Sequence, residues 1–344
     1  MEEKLFFLSD YMEGTHPDIL QALCDTNMRK SAGYGLDPIC DAARDKIRTA
    51  CGCPEGEVWF LTGGTQTNAT VIDACLHSWQ GVIAAETGHI STHEAGAIEL
   101  GGHKVLTLPH RLGKLSAEAI RRYTETFFAD DNHAHMVAPG MVYLSQPTEY
   151  GTLYSKAELQ AISDVCRAYG LKLYVDGARL AYALSCPEND VTLPDLARLC
   201  DVFYIGGTKC GALLGEAVVI PSKGLLPHFF TVIKQHGALL AKGRVLGIQF
   251  DRLFTDGLYF RIGQSAITFA NQIRQALREK GYELAFSSPT NQIFVILNQN
   301  ELKRLTQAAE LGFWEKYDDE RTVMRIATSW ATTQEDVTRL IEIL

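Results

Sequence analysis

Between about Gly56 and Pro221, short runs of apolar, β-branched and aromatic residues alternate with stretches whose apolar positions recur every three or four residues. That alternation predicts a mostly parallel sheet covered by helices on both faces. The clearest unit starts with a strand over Met141–Ser145. Ser155 with Glu158 three residues later is a capping-box signature. Leu159, Ile162, Cys166 and Tyr169 then follow at helical spacing, and Gly170 is placed to end the helix. "LKLYVD" (171–176) re-enters the sheet, and further strands are expected at "VIAAE", "KVLTLP", "DVFYIG" and "AVVIP". From about His236 the pattern changes to long helices, such as "GQSAITFANQIRQALREKGY", interleaved with strands "IFVILN" and "VMRIAT". The expected fold class is therefore α/β. A large domain over 1–235, with an N-terminal arm, carries a mostly parallel mixed sheet, and a smaller C-terminal α+β domain occupies 236–344.

Composition narrows the function. The 344 residues are 46% hydrophobic, enough for a large core and against a disordered or fibrous class. The net charge is -9 and basic residues form no run longer than a pair, so nucleic acid is not an expected partner. Nine cysteines are scattered without a CxxC, which suits reduced thiols in a reducing compartment. The opening "MEEKLFFLSDYMEG" has an acidic front and an apolar patch too short for a signal peptide or a membrane span. The expected location is the cytoplasm, with no membrane partner. The dense charge of "ADDNHAH" and "DDER" reads as solvated loops.

In open α/β sheets, ligands sit at the carboxyl ends of strands, so polar residues that follow apolar runs carry the candidate chemistry. Gly63, Gly64 and Thr65 lie between a strand and an amphipathic helix. They form either a tight turn or a phosphate cup built from free backbone N–H groups and the Thr65 hydroxyl. Neither GxxxxGKS/T nor GxGxxG is present, which disfavours a Walker-type or dinucleotide site. Asp176 ends an apolar strand with Arg179 three residues on. A carboxylate there needs a cationic partner. Either Arg179 supplies it as a structural ion pair, or Asp176 faces a protonated ring nitrogen of a cofactor while Arg179 reaches another polar group on that ring. Lys209, in "DVFYIGGTKCGALLG", follows an apolar strand among small residues. It is either a lysine that surfaces in a loop or a desolvated amine, made nucleophilic toward aldehydes as a Schiff-base lysine must be. His89 and His93 stand four apart, but Glu94 sits beside the second histidine instead of between the two as in HExxH, so no metal is expected.

Together, the cup, the strand-end acid and the strand-end lysine supply handles for the phosphate, pyridine nitrogen and aldehyde carbon of pyridoxal 5'-phosphate.

Beyond those handles, the chain resembles fold-type I pyridoxal-phosphate enzymes, which are aminotransferase-like, and within them the low-specificity L-threonine aldolases of the β-eliminating lyase superfamily. The segments that carry the resemblance are "YGLDP", "GGTQTN", "GHISTHEAGAIE", "VDGARL", "GGTKCGALLG" and "MRIATSWATTQEDV", in the family's order. The resemblance implies cleavage of L-threonine, L-allo-threonine and related β-hydroxy-α-amino acids to glycine and an aldehyde. It implies that His89 stacks on the cofactor ring and helps move the hydroxyl proton, that Arg325 forks the substrate carboxylate, and that Ser9 lies near the same carboxylate. Lys234 falls where relatives often carry an arginine that reaches a phosphate in the neighbouring subunit. Many relatives have a second histidine after the "VYL" strand, and Glu149 occupies about that place here, so His89, a loop-held water and Glu149 are the candidate bases. A homodimer or homotetramer with shared sites is implied, with "YGLDP" and "IKQHG" as the crossing segments. The same anchors would also serve β-elimination or transamination, and a non-catalytic phosphate-ligand-binding protein is the alternative from another class.

Overall fold

In the computed structural model, which describes residues 4–344, the first strand, β1 (Leu5–Phe7), belongs to a smaller sheet. The next seven build the larger one: β2 (Glu57–Leu61), β3 (Gln80–Ala85), β4 (Val105–Leu108), β5 (Ala138–Ser145), β6 (Lys172–Asp176), β7 (Val202–Gly206) and β8 (Glu216–Ile220). Their order is β2-β8-β7-β6-β5-β3-β4. The pairs from β4 through β7 are parallel, while β8 runs antiparallel to both β2 and β7. The acidic front of the opening segment, residues 1–3, lies outside the described residues.

The central strands read as continuous apolar runs because both of their faces are covered. Val142, Leu144, Leu173, Val175, Phe203 and Ile205 enter one core, while Met141, Tyr143, Tyr174, Val202 and Tyr204 enter the other. Each such side chain contributes about 1.5–3 kcal/mol by leaving water. Helix Lys156–Tyr169 forms as its sequence predicts: Ser155 Oγ accepts from Glu158 N at 3.2 Å, and Glu158 accepts from Ser155 N at 2.8 Å. Gly170 ends it at φ 67°, the left-handed geometry that glycine adopts without strain.

The smaller sheet adds β9 (Glu283–Leu284), β10 (Gln292–Asn298), β11 (Ala309–Lys316) and β12 (Arg321–Ala327), in the order β1-β11-β12-β10-β9. β1 pairs in parallel with β11, so the start of the chain is built into the far domain. A division at 235/236 falls earlier than the packing does. Helix Arg244–Leu253 buries Leu246, Phe250 and Leu253 in the larger core, where the Phe250 ring lies 5.3 Å from that of Phe60. The change comes within helix Gln264–Glu279, whose Ala266 and Ile267 join the larger core and whose Ala270, Ile273 and Leu277 join the smaller.

Candidate active site

Two close backbone approaches bring the strand-end residues together. A Cβ on Gly177 would stand 2.1 Å from Tyr204 O, and one on Gly206 would stand 2.3 Å from Ala178 O. Only glycine lets the turn after β6 lie against the end of β7. Asp176 and Lys209, at the two strand ends, consequently line one cavity of about 410 Å³, together with Gly63, Gly64, Thr65, His89, Glu149 and Arg179. A second cavity of about 580 Å³ shares Tyr11, His89, His93, Glu149, Arg179 and Lys209 with the first and extends to Arg325. The two form a continuous cleft at the carboxyl edge of the larger sheet.

Lys209 is half-buried by area but walled by protein. Burial and the nearby Arg179 charge lower its pKa, while Asp10, Asp176 and Glu216 oppose that shift. Its Nζ stands 5.8 Å from the Tyr11 ring centre. For Asp176, burial alone would raise the carboxyl. Electrostatic attraction to the neighbouring His89 imidazole, together with hydrogen bonds, outweighs it and holds the group below the usual carboxylate range. Those bonds come from Tyr143 Oη at 2.6 Å, Ala178 N at 2.9 Å and Asn68 Nδ2 at 3.1 Å.

Thr65 lies in the first turn of helix Gly64–Cys75, whose preceding residue, Gly63, supplies no side-chain cap. The first backbone N–H groups of this helix are thus left for a ligand. His89 hydrogen-bonds Glu94 Oε1 through Nδ1 at 2.8 Å, and Glu94 also accepts from Asn68 at 2.7 Å. An ionised carboxylate only accepts, so Nδ1 carries the proton and Nε2 is the acceptor of a ring that lines the cleft. The His93 ring lies 5.7 Å from that of His89, and burial lowers its pKa. Glu149 Oε1 accepts from His89 N at 3.0 Å and from Ser145 Oγ at 2.6 Å. Burial raises its pKa despite those bonds.

Arg179 does not pair with Asp176. Its Nε and Nη2 grip Asp10 at 2.6 and 3.0 Å, and Asn291 Nδ2 adds a third bond to Asp10 at 2.9 Å. Burial would raise the Asp10 carboxyl, but Arg179 and then Lys209 bring it down to about 2. Since its unfolded value is about 3.9, this pair adds stability that is full at neutral pH and is lost as pH falls toward the folded value. Asp10→Ala, which strands a buried guanidinium, is expected to cost roughly 3–5 kcal/mol in urea unfolding at neutral pH. A loss below about 1 kcal/mol would mean the pair is solvated like a surface bridge.

Arg325 projects from β12 into the outer part of the cleft, donating to Leu8 O at 3.0 Å and Gln292 Oε1 at 3.1 Å. Its buried Nε and the buried Ser9 Oγ have no hydrogen-bond partner among the described residues. The Arg325 bond to Leu8 O brings these two unspent donors to neighbouring positions in the fold, which suits an anionic ligand. Lys234 is not brought into the cleft of its own chain. It is exposed, with Nζ 4.8 Å from the Tyr34 ring. Asp10, Asn68, Tyr143 and Glu216 escaped the sequence reading, and Glu94 entered it only as a rejected metal ligand. Only Glu216 carried a signal, as a lone acid at the head of an apolar run.

The family model for beta-eliminating lyases matches residues 7–314. The low specificity L-threonine aldolase of Pseudomonas sp. (strain NCIMB 10558) is 32% identical over 87% of this chain and 86% of its own length. The solved structure of Leishmania major threonine aldolase superposes with a TM-score of 0.95 at 44% identity, covering 98% of both chains. A Thermus thermophilus aspartate aminotransferase double mutant matches at TM-score 0.72 and 15% identity, over 99% of this chain and 91% of its own, which shows the shared fold alone. The architecture is that of the fold-type I pyridoxal-phosphate enzymes. With a family match across most of its length and an aldolase relative aligned nearly end to end, the chain belongs to the beta-eliminating lyase family.

Proposed function

We propose that this protein is a pyridoxal-phosphate-dependent lyase that cleaves L-threonine, L-allo-threonine and related β-hydroxy-α-amino acids to glycine and an aldehyde. The observation that carries the reading is the meeting, in one cavity, of an uncapped helix start, an ionised buried Asp176 and Lys209 with its lowered pKa. These residues fit the cofactor. The first N–H groups of helix Gly64–Cys75 with Thr65 would hold its phosphate, Asp176 its ring nitrogen and Lys209 its aldehyde carbon, with Arg179 at a further polar group and His89 against the ring. Bound there, the cofactor supplies a conjugated ring that accepts the electron pair of a bond broken at the substrate's α-carbon.

The chain's own groups do the rest. Lys209, biased toward the neutral amine, can attack an aldehyde. Arg325 Nε and Ser9 Oγ would grip the substrate carboxylate and so fix which α-carbon bond is aligned for cleavage. His89 Nε2 would take the β-hydroxyl proton, with Glu94 stabilising the charge that the imidazole gains. Glu149, through His89 N and Ser145, would position that turn. Lys234 beside Tyr34, with Tyr34 and Leu36 exposed, supports a homo-oligomer in which "YGLDP" and "IKQHG" reach a neighbouring site. Nine free cysteines support a reducing, cytoplasmic setting, and no described helix is long and apolar enough to cross a membrane.

Incubation of the cofactor-loaded protein with threonine, allo-threonine and phenylserine should release glycine and the matching aldehyde. Ammonia release would indicate β-elimination, and keto-acid consumption would indicate transamination. Arg325→Lys should raise KM for threonine about ten- to hundredfold with a smaller change in kcat, because an ammonium cannot replace a fork. An unchanged KM would remove Arg325 from the site.

A further inference from the structure

Glu216 is the first residue of β8, and because β8 runs against its neighbours this carboxyl arrives where β2 and β7 end. It is opposite Leu61 on one side and Gly206 on the other. It thus stands between the Gly63–Thr65 turn and the Lys209 loop and lines the cavity with both. Val218 and Ile220, alternating with it along the strand, pack with Val71 of helix Gly64–Cys75, so Glu216 faces the layer of that helix. The residue is 3% exposed, and its Oε2 accepts from Gly207 N at 2.9 Å.

Among the described residues, the charged groups facing it are Lys209 from the loop and Asp176 from β6, of opposite sign. Tyr174, Tyr204 and Tyr259 also face it, as does Cys210, and burial raises the pKa of each so that all four are neutral. Helix Arg244–Leu253 presents Gln249, whose Oε1 is taken by Leu213 N and Leu214 N. Arg179 is committed to Asp10. Within this chain, no cation is therefore left over beside Glu216 to offset the phosphate, and a lysine reaching in from a neighbouring subunit would carry one charge against the two of a phosphate dianion.

Resting on the reading that the Gly63–Thr65 turn takes the cofactor's phosphate, we propose that Glu216 takes up a proton from solvent when that phosphate enters, so that cofactor affinity is tied to pH. Two anions held close in a low dielectric repel strongly, and protonation turns one of them into a neutral O–H donor. Burial already pushes the Glu216 pKa up to about 7, against hydrogen bonds from Thr208 and Gly207 and the Lys209 charge. A group whose pKa rises on binding favours the complex at low pH, and the advantage fades as pH climbs above the free-state value, by about tenfold per unit.

The test is calorimetric titration of pyridoxamine 5'-phosphate, which has no aldehyde to react, into the full chain freed of cofactor. It is run at about pH 8 in buffers of different ionisation enthalpy, where the phosphate is already dianionic. The unaltered protein is expected to take up about one proton more than Glu216→Gln, and its affinity should fall about tenfold per pH unit while that of the variant stays flatter. Equal uptake by the two proteins would overturn the proposal. Should the variant not fold, pyridoxamine without phosphate replaces it as the comparison on the unaltered protein, and equal uptake with and without the phosphate is again the overturning result. Failure of the unaltered protein to bind pyridoxal 5'-phosphate at all would instead defeat the functional reading on which the proposal rests.

Discussion

Lys209→Ala is expected to lower threonine cleavage by about three orders of magnitude or more and to leave a protein with no covalently held cofactor. The reason is specific to this amine. Desolvation lowers its pKa and so enlarges the fraction present as the nucleophilic neutral amine, and no other described lysine lines either cavity. Stability should change far less than activity: Arg179 remains as the main partner of Asp10, the Tyr11 ring is a distant neighbour, and the loop backbone is closed by Gly207 N and Thr208 N donating to Gly215 O at 3.0 and 3.1 Å. Borohydride reduction followed by peptide mapping should label the Lys209 peptide of the unaltered protein and nothing in the variant. Labelling of another lysine at full activity would displace Lys209 from its role.

Asp176→Asn is expected to cut kcat by about two to four orders of magnitude with cofactor still bound. Tyr143 and Ala178 donate to different oxygens of Asp176, so asparagine keeps an acceptor for only one of them, and it loses the charge that would hold a proton on the cofactor ring. The measurement is kcat at saturating cofactor and threonine, with bound cofactor quantified by absorbance. Near-normal turnover would show that a neutral acceptor at this position is sufficient, and the electron-accepting role assigned to the site would need another source of charge.

Asp176, Lys209 and the Gly63–Thr65 turn were legible because each follows a strand whose both faces are buried, and such strands appear in the sequence as uninterrupted apolar runs. The same rule, applied only to residues after strands, passes over Glu216, which precedes one. Nothing local shows that β8 runs backwards. Asp10 was equally hidden: its partner Arg179 lies 169 positions away, and the sequence offers Asp176 as the nearer anion. β1 has three residues and acquires its meaning only by pairing with β11. Helix Arg244–Leu253 has the apolar stripe expected of any surface helix, which does not tell which of two cores it covers. The small-domain strands β10 and β12 were legible by composition, whereas β11, with five of its eight residues exposed or partly exposed, was not.

The β1–β11 pairing makes the opening segment a tether. Leu8, Ser9 and Asp10 leave the edge of one sheet, touch Arg325 and Arg179 in turn, and end against the other. Any hinge motion of the small sheet must carry Ser9 and Arg325 as a single jaw while Asp10 stays pinned to the opposite one. Clipping the chain after residue 10 would therefore cost an edge strand, a carboxylate grip and a buried ion pair at one stroke, and proteolytic trimming at this end should silence the protein long before it unfolds it.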